Sequence, residues 1–273
     1  MFDEILVCLD SSALAEKILP LARYLSGVKG GTLTLLRVIR DDAELAAEEA
    51  YLRDCARQYS ARLSFLIGAD PAQAIASALR RKPRAIAALT THGRTAWAEA
   101  ILGSVALEVI REAHRPVLLY HPLRDAQDPP KKIDAVIVAL DGDNFSEKSL
   151  RFGLMAARDL SARLVLVQVL PANPAMPQLS AQERSDIVES SYLHRKAEEI
   201  KAQYGIAAEW EVLHGDPAAA ICRYVRDLPQ ALLVMTSHGR TALKRATLGS
   251  VTSGCVRHAG VPLMLYWPHS VEA

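Results

Sequence analysis

Net charge is almost absent from this chain of 273 residues: 32 Lys and Arg stand against 31 Asp and Glu, a formal balance of +1. With the two signs interspersed there is no electrostatic footprint for DNA, RNA or an anionic membrane, and no nucleic-acid partner is expected. No stretch approaches the ~18 uninterrupted apolar residues that span a bilayer, so no membrane partner is expected either. The opening Met1-Phe2-Asp3-Glu4 lacks the basic flank of a secretory signal, and a cytoplasmic location is the expectation. Cysteine is sparse. Cys8, Cys55, Cys222 and Cys255 are scattered and never form a C-x-x-C pair, which removes the usual zinc and thiol-redox spacings and leaves buried free thiols. Two phosphate-binding signatures are also missing, G-x-x-x-x-G-K-[ST] and G-x-G-x-x-G. Their absence disfavours a fast P-loop NTPase and a dehydrogenase.

What is present is an ordinary globular composition, 50% hydrophobic and 23% charged, in a chain long enough for about two domains of ~150 residues. An internal repeat supports that division. Thr90-Thr91-His92-Gly93-Arg94-Thr95-Ala96 returns as Thr236-Ser237-His238-Gly239-Arg240-Thr241-Ala242, and Leu102-Gly103-Ser104-Val105 returns as Leu248-Gly249-Ser250-Val251. At the same offset Asp70-Pro71-Ala72 matches Asp216-Pro217-Ala218, Pro116 matches Pro262 and Tyr120 matches Tyr266. Leu9-Asp10 pairs with Leu140-Asp141 at a smaller offset, which requires an insertion in the second half, placed in the Pro- and Ser-rich stretch 171–180. The polar, proline-broken segment 124–133 reads as a linker between a domain at 1–123 and another at 134–273.

Each half alternates short apolar runs with amphipathic segments. Strands are expected at 5–9, 32–38, 63–67, 85–90 and 117–120, with helices near 13–26, 43–60, 71–81 and 104–113. The second half repeats the order, with strands near 133–140, 163–170, 207–213, 231–236 and 263–266. Asp70 before Pro71 and Asp216 before Pro217 each supply an N-cap and a proline at the first helical position. Such alternation predicts an α/β fold, two tandem domains each with a five-stranded parallel sheet covered by helices on both faces.

The candidate chemistry lies in the repeated G-x9-G-S segment. Gly93 follows the fourth strand and Gly103-Ser104 opens the last helix, where glycine lets backbone approach a ligand and the unpaired first-turn N–H groups suit an anion such as phosphate. The competing view is structural: the glycine ends a strand and Ser104 caps a helix. Asp10 and Asp141 have a similar alternative as caps for the helices after them. Arg94 and Arg240 stand beside the glycine turn, within reach of a phosphate or solvated at the surface. His92 and His238 have no serine or cysteine nucleophile beside them, so a turn-stabilising role is favoured over a catalytic one and no catalytic residue is assigned.

The paired segments resemble the nucleotide-binding signature of the universal stress protein family, G-x2-G-x9-G-[ST], set in the same strand-helix order across nearly the whole chain. The strand-end aspartates of Ile5-Leu6-Val7-Cys8-Leu9-Asp10 and Val136-Ile137-Val138-Ala139-Leu140-Asp141 belong to the resemblance. It implies an adenine-nucleotide alpha hydrolase-like fold and an ATP site in each half, with ADP, AMP and Mg2+ as further candidates. The resemblance places Asp10 and Val38, and Asp141 and Val169, at the adenosine. It places Gly93, Gly103 and Ser104, and Gly239, Gly249 and Ser250, at ribose and phosphates. The chain departs from the signature at the first motif glycine, which is Thr90 in one half and Thr236 in the other. The function implied is nucleotide-dependent binding or association in a stress response. A slow ATP hydrolase and an interaction module with degenerate sites are the alternatives.

The last strand of each half, Val117-Leu118-Leu119-Tyr120 or Leu263-Met264-Leu265-Tyr266, is short, apolar and flanked by prolines. Left as an edge it invites aggregation. Universal stress proteins pair these strands across an antiparallel two-fold interface, so 117–120 is expected against 263–266, making one chain a pseudo-symmetric dimer. The strands argue neither for nor against a further homodimer of chains.

Overall fold

The computed structural model describes residues 2–91, 102–113, 115–121, 128–170, 179–237 and 248–268, with the side chains of 179–191 left aside. In the first half β1 (Glu4–Cys8), α1 (Ala13–Glu16), α2 (Leu19–Gly27), β2 (Thr32–Ile39), α3 (Asp42–Gln58), β3 (Arg62–Ile67), α4 (Pro71–Arg81), β4 (Ala85–Thr90), α5 (Ser104–Glu112) and β5 (Val117–Tyr120) follow in order. The second half runs β6 (Ala135–Leu140), α6 (Asn144–Glu147), α7 (Leu150–Leu160), β7 (Arg163–Leu170), α8 (Leu179–Tyr204), β8 (Ala208–His214), α9 (Pro217–Arg226), β9 (Ala231–Thr236), α10 (Ser250–His258) and β10 (Leu263–Tyr266).

Each half builds a parallel five-stranded sheet, and the two join into one sheet of order β3-β2-β1-β4-β5-β10-β9-β6-β7-β8. The junction is antiparallel, with Leu263 opposite Leu119, Met264 opposite Leu118 and Leu265 opposite Val117. Both final strands are buried throughout, which removes the two apolar edges that the sequence alone leaves open. The outer edges fall instead on β3 and β8, where Arg62, Glu209 and Glu211 place charge on half-exposed strands.

Two buried cores flank the sheet and each crosses the junction. Ile5, Val7, Leu118, Val136, Leu166 and Met264 pack with α2, α3 and α7 on one face. Leu6, Leu89, Leu119, Ile137, Leu233 and Leu265 pack with α4, α5, α9 and α10 on the other. Side chains alternate along β5 and β10 between these faces, which explains why strands of only four residues are wholly apolar.

Local chemistry sets the helix starts. Asp41, Asp70 and Asp216 cap α3, α4 and α9 by accepting from Glu44 N at 2.9 Å, Ala72 N at 2.9 Å and Ala219 N at 2.9 Å. The single helix expected near 13–26 is two: α1 stops at Glu16 and α2 restarts with Pro20 in its first turn. Proline has no N–H to donate and its ring clashes with the carbonyl four residues back, on Glu16. Of the expected insertion, 171–178 lies outside the described residues, while α8 with 26 residues against 17 in α3 carries extra length.

Candidate functional site

In each half the strand order reverses direction between the first strand and the fourth, and the crevice beyond the carboxyl ends of such strands is where α/β sheets bind ligands. A cavity of about 320 Å³ lies there in the first half, reached by Asp10, Arg37, Val38, Thr90, Gly103 and Ser104. Leu36, Val38, Ile75 and Leu89 give it an apolar wall. Its size falls at the lower end of the range for small-molecule sites.

The β1–α1 turn presents Asp10. Its Oδ1 accepts from Ser12 N at 3.1 Å and Ser12 Oγ at 2.5 Å, and Ser12 in turn caps α1 by accepting from Ala15 N at 3.1 Å. Asp10 therefore orders the turn without being the cap, a correction to the capping alternative. Ser11 between them has φ of 64°, left-handed for a residue with a side chain, and its Oγ donates to Glu48 Oε2.

Gly103 is the N-cap of α5 and offers no side-chain cap bond, so the first-turn N–H groups of the helix open toward the cavity; Ser104, exposed, is the first helical residue and not the cap. The Gly103 N–H donates to Thr91 O at 2.7 Å, and a Cβ at this position would stand 3.4 Å from the same oxygen. Thr90, which takes the place of the first motif glycine, ends β4 and is buried at the cavity wall. Beneath it the Thr91 hydroxyl lies 2.6 Å from His121 Nδ1. Cys8 is half-buried at the same wall, and burial pushes its thiol up to about 12, so it stays a neutral thiol. Cys55, Cys222 and Cys255 are buried, and all four cysteines are free.

Arg37 is the residue that sequence reasoning missed. Its signal is a lone charge inside the apolar run Leu35-Leu36-Arg37-Val38-Ile39. The side chain is buried, with Nη1 donating to Leu9 O at 3.4 Å and Nη2 to Glu44 at 3.1 Å and Glu48 at 3.3 Å. The Glu44 carboxyl is held below the usual carboxylate range, first by the Arg40 backbone N–H and further by the Arg40 and Arg37 charges.

The second half repeats the frame with less space. Asp141 Oδ1 accepts from Asp143 N at 3.0 Å, Asp143 caps α6, and the left-handed turn position is Gly142. Gly249 caps α10 and donates to Ser237 O at 2.9 Å. The cavity beside Asp141 and Val169 is about 150 Å³. Ser146, Met235 and Thr252 line it where the first half has Ala15, Leu89 and Ala106, and the buried Thr252 Oγ1 donates to Thr236 O at 3.0 Å. Gln168 stands where the first half has Arg37. Gly249 and Ser250 neighbour this cavity through Val251 without being among the described residues that line it. Gly93, Arg94, Gly239, Arg240, His92 and His238 lie outside the described residues.

Among the described residues no group of three or more His, Cys, Asp or Glu gathers to hold a metal ion. No helix of the described residues is long and apolar enough to cross a membrane.

Comparison with known proteins bears on this geometry. The model of the universal stress protein family matches residues 44–121 and 132–266. A universal stress protein of Methanocaldococcus jannaschii is 25% identical over 149 residues, covering 52% of this chain and 85% of that protein. One of Mycobacterium bovis is 29% identical over 189 residues, 65% of this chain and 60% of its own length. The crystal structure of a universal stress protein from Archaeoglobus fulgidus aligns with a TM-score of 0.71 at 17% identity, over 98% of this chain and 99% of that one, a likeness of fold.

Proposed function

The chain belongs to the universal stress protein family, and we propose that it binds an adenine nucleotide in each half, more tightly in the first. The observation that carries this reading is the 320 Å³ cavity, which gathers Asp10, Val38, Gly103 and Ser104 from separate parts of the sequence at the point where strand order reverses. The apolar wall at Val38, Leu36 and Leu89 suits a purine ring. The Asp10 carboxylate has the acceptor chemistry that a ribose hydroxyl needs, and the open N-terminus of α5 suits the phosphates. Magnesium would enter bound to the triphosphate and keep most of its waters.

Bound nucleotide stabilises the native state by mass action and would alter stability or association, which is the proposed route to a role in stress response. Free, largely buried cysteines support a reducing compartment and hence the cytoplasm. Isothermal calorimetry with ATP, ADP and AMP, with and without Mg2+, on protein stripped of bound ligand tests the proposal. Saturable binding whose tight component Gly103→Val weakens about a hundredfold is the expected result; no binding of any of the three overturns it.

A further inference from the structure

We propose that Cys222 and Cys255 are a peroxide-responsive pair that closes into a reversible disulfide and ties α9 to α10 beside the second-half cavity, an inference that stands apart from the nucleotide reading. The two helices meet along one stripe. Ala218, Cys222 and Arg226 recur at every fourth residue of α9 and face Gly254, Cys255 and His258 of α10. A Cβ at Gly254 would stand 2.5 Å from Ala218 Cβ, so the helices approach more closely here than a side chain at that position allows. One turn on, Cys222 Sγ donates to Gly254 O at 3.8 Å, and the Cys255 S–H donates to the Cys222 sulfur. A turn further, Arg226 Nη2 donates to His258 O at 3.0 Å. The seam therefore holds two sulfurs in contact and is fastened on either side of them. A bond of about 2.05 Å needs only a short further approach.

Packing alone does not ask for sulfur at these positions. The first half builds the matching helix pair, α4 and α5, with Ala76 and Val109 in their places, both buried. Cys8 and Cys55 belong to opposite faces of the sheet and do not meet. The pair is also asymmetric. The hydrogen bond from Cys255 lowers the Cys222 thiol from its ordinary value, against burial and Asp216 and with help from the Arg226 charge. The same bond, followed by burial, raises Cys255. Cys222 is therefore the nucleophile and Cys255 the resolving thiol.

Both cysteines are buried, and the cavity of about 150 Å³ gives a small oxidant its way in. Pro217 and Ile221 of α9 and Val251 and Thr252 of α10 line it, and Ile221 is the chain neighbour of Cys222. It has room for a hydrogen peroxide molecule beside water. The Cys222 thiolate attacks one peroxide oxygen, the O–O bond breaks, and the departing hydroxide takes the Cys222 proton to leave as water. The Cys255 sulfur then attacks the sulfur of the Cys222 sulfenic acid, the S–O bond breaks, and hydroxide leaves with the Cys255 proton as a second water. Two thiols are oxidised to one disulfide and one peroxide is reduced to two waters. The bond then restrains two walls of the second cavity and leaves the first half untouched.

The test treats the reduced full chain with hydrogen peroxide, alkylates the remaining thiols in denaturant and maps the peptides by mass spectrometry. Loss of two of the four free thiols is expected, in a peptide linking Cys222 to Cys255 that dithiothreitol reverses, with Cys8 and Cys55 alkylated. Cys255→Val should stop at a sulfenic acid on Cys222 that dimedone traps, and Cys222→Ala should leave Cys255 a thiol. Both variants carry the residue that the first half has at the matched position, so both should keep the parent's circular dichroism. Hydrogen exchange should slow in 217–226 and 250–258 of the oxidised chain and stay the same in 71–81 and 104–112. Cys222 and Cys255 left unlinked in the folded chain, oxidation of Cys8 or Cys55 ahead of them, or a bond formed only once denaturant is present overturns the proposal. A disulfide that leaves exchange in α9 and α10 unchanged overturns the restraint on the cavity.

Discussion

The two halves of the chain share a frame and differ in the space it encloses. Each has an aspartate after its first strand, a glycine capping its last helix, and a tyrosine of its third-strand approach helix bonded to an acidic residue of the first helix, Tyr51 to Glu16 and Tyr192 to Glu147. Yet the first cavity is about 320 Å³ and the second about 150 Å³. The difference goes with small changes at matched lining positions, Ala15 to Ser146 and Ala106 to Thr252. A folding constraint therefore keeps the frame in both halves, and the lining residues separately decide what each half can hold.

The largest effect is expected where the frame itself is broken. Leu119→Lys with Leu265→Lys buries two unpaired charges, from strands that face one core, at a cost of several kcal/mol each. Against a total stability of 5–15 kcal/mol this should separate the halves or precipitate the protein, as size-exclusion chromatography would report. A double variant as compact and soluble as the parent would remove the junction as the support of both halves.

Next come variants that act on one half. Gly103→Val should lower nucleotide affinity about a hundredfold, because the new side chain occupies the approach to the α5 terminus and forfeits charge-assisted bonds there. Gly249→Val should change the tight site little, and both together should abolish binding while circular dichroism stays largely unchanged. Equal losses from the two single variants would make the halves equivalent. A smaller effect, about five- to tenfold, is expected from Ala106→Thr, which carries the second half's side chain into the first. Unchanged affinity would mean that lining volume is not what separates the sites.

Cleavage in the proposed linker, 124–133, should give two fragments that stay together through β5 and β10 until denaturant is added. First cuts inside either repeat would contradict the proposed domain limits. Phosphate release with saturating Mg2+ and ATP should be far slower than the ~10 s⁻¹ usual for enzymes, because the described residues around Asp10 and Gly103 supply binding groups without an evident base for an attacking water. A rate of that order would make the protein a hydrolase.

The frame is legible in the sequence because its signals are local. Strands such as Ala85–Thr90 and Val117–Tyr120 are continuous apolar runs, Asp70-Pro71 and Asp216-Pro217 are caps with a mechanism, and prolines bracket the two final strands. Pro20 is an equally local signal, and the break it imposes separates α1 from α2. The site is only partly legible. Asp10, Val38, Gly103 and Ser104 follow from the repeat and the family signature, whereas Arg37 joins them only because α3 brings Glu44 and Glu48 back over β2. The unequal cavities are not visible in any motif, since they depend on Ser146, Met235 and Thr252 meeting from three separate segments.

Titrating ATP into stripped protein and counting tight sites tests the inequality of the halves most directly. One tight nucleotide per chain, lost with Gly103→Val and kept with Gly249→Val, is the predicted result; two sites of equal affinity, or a tight site that follows Gly249, would contradict it.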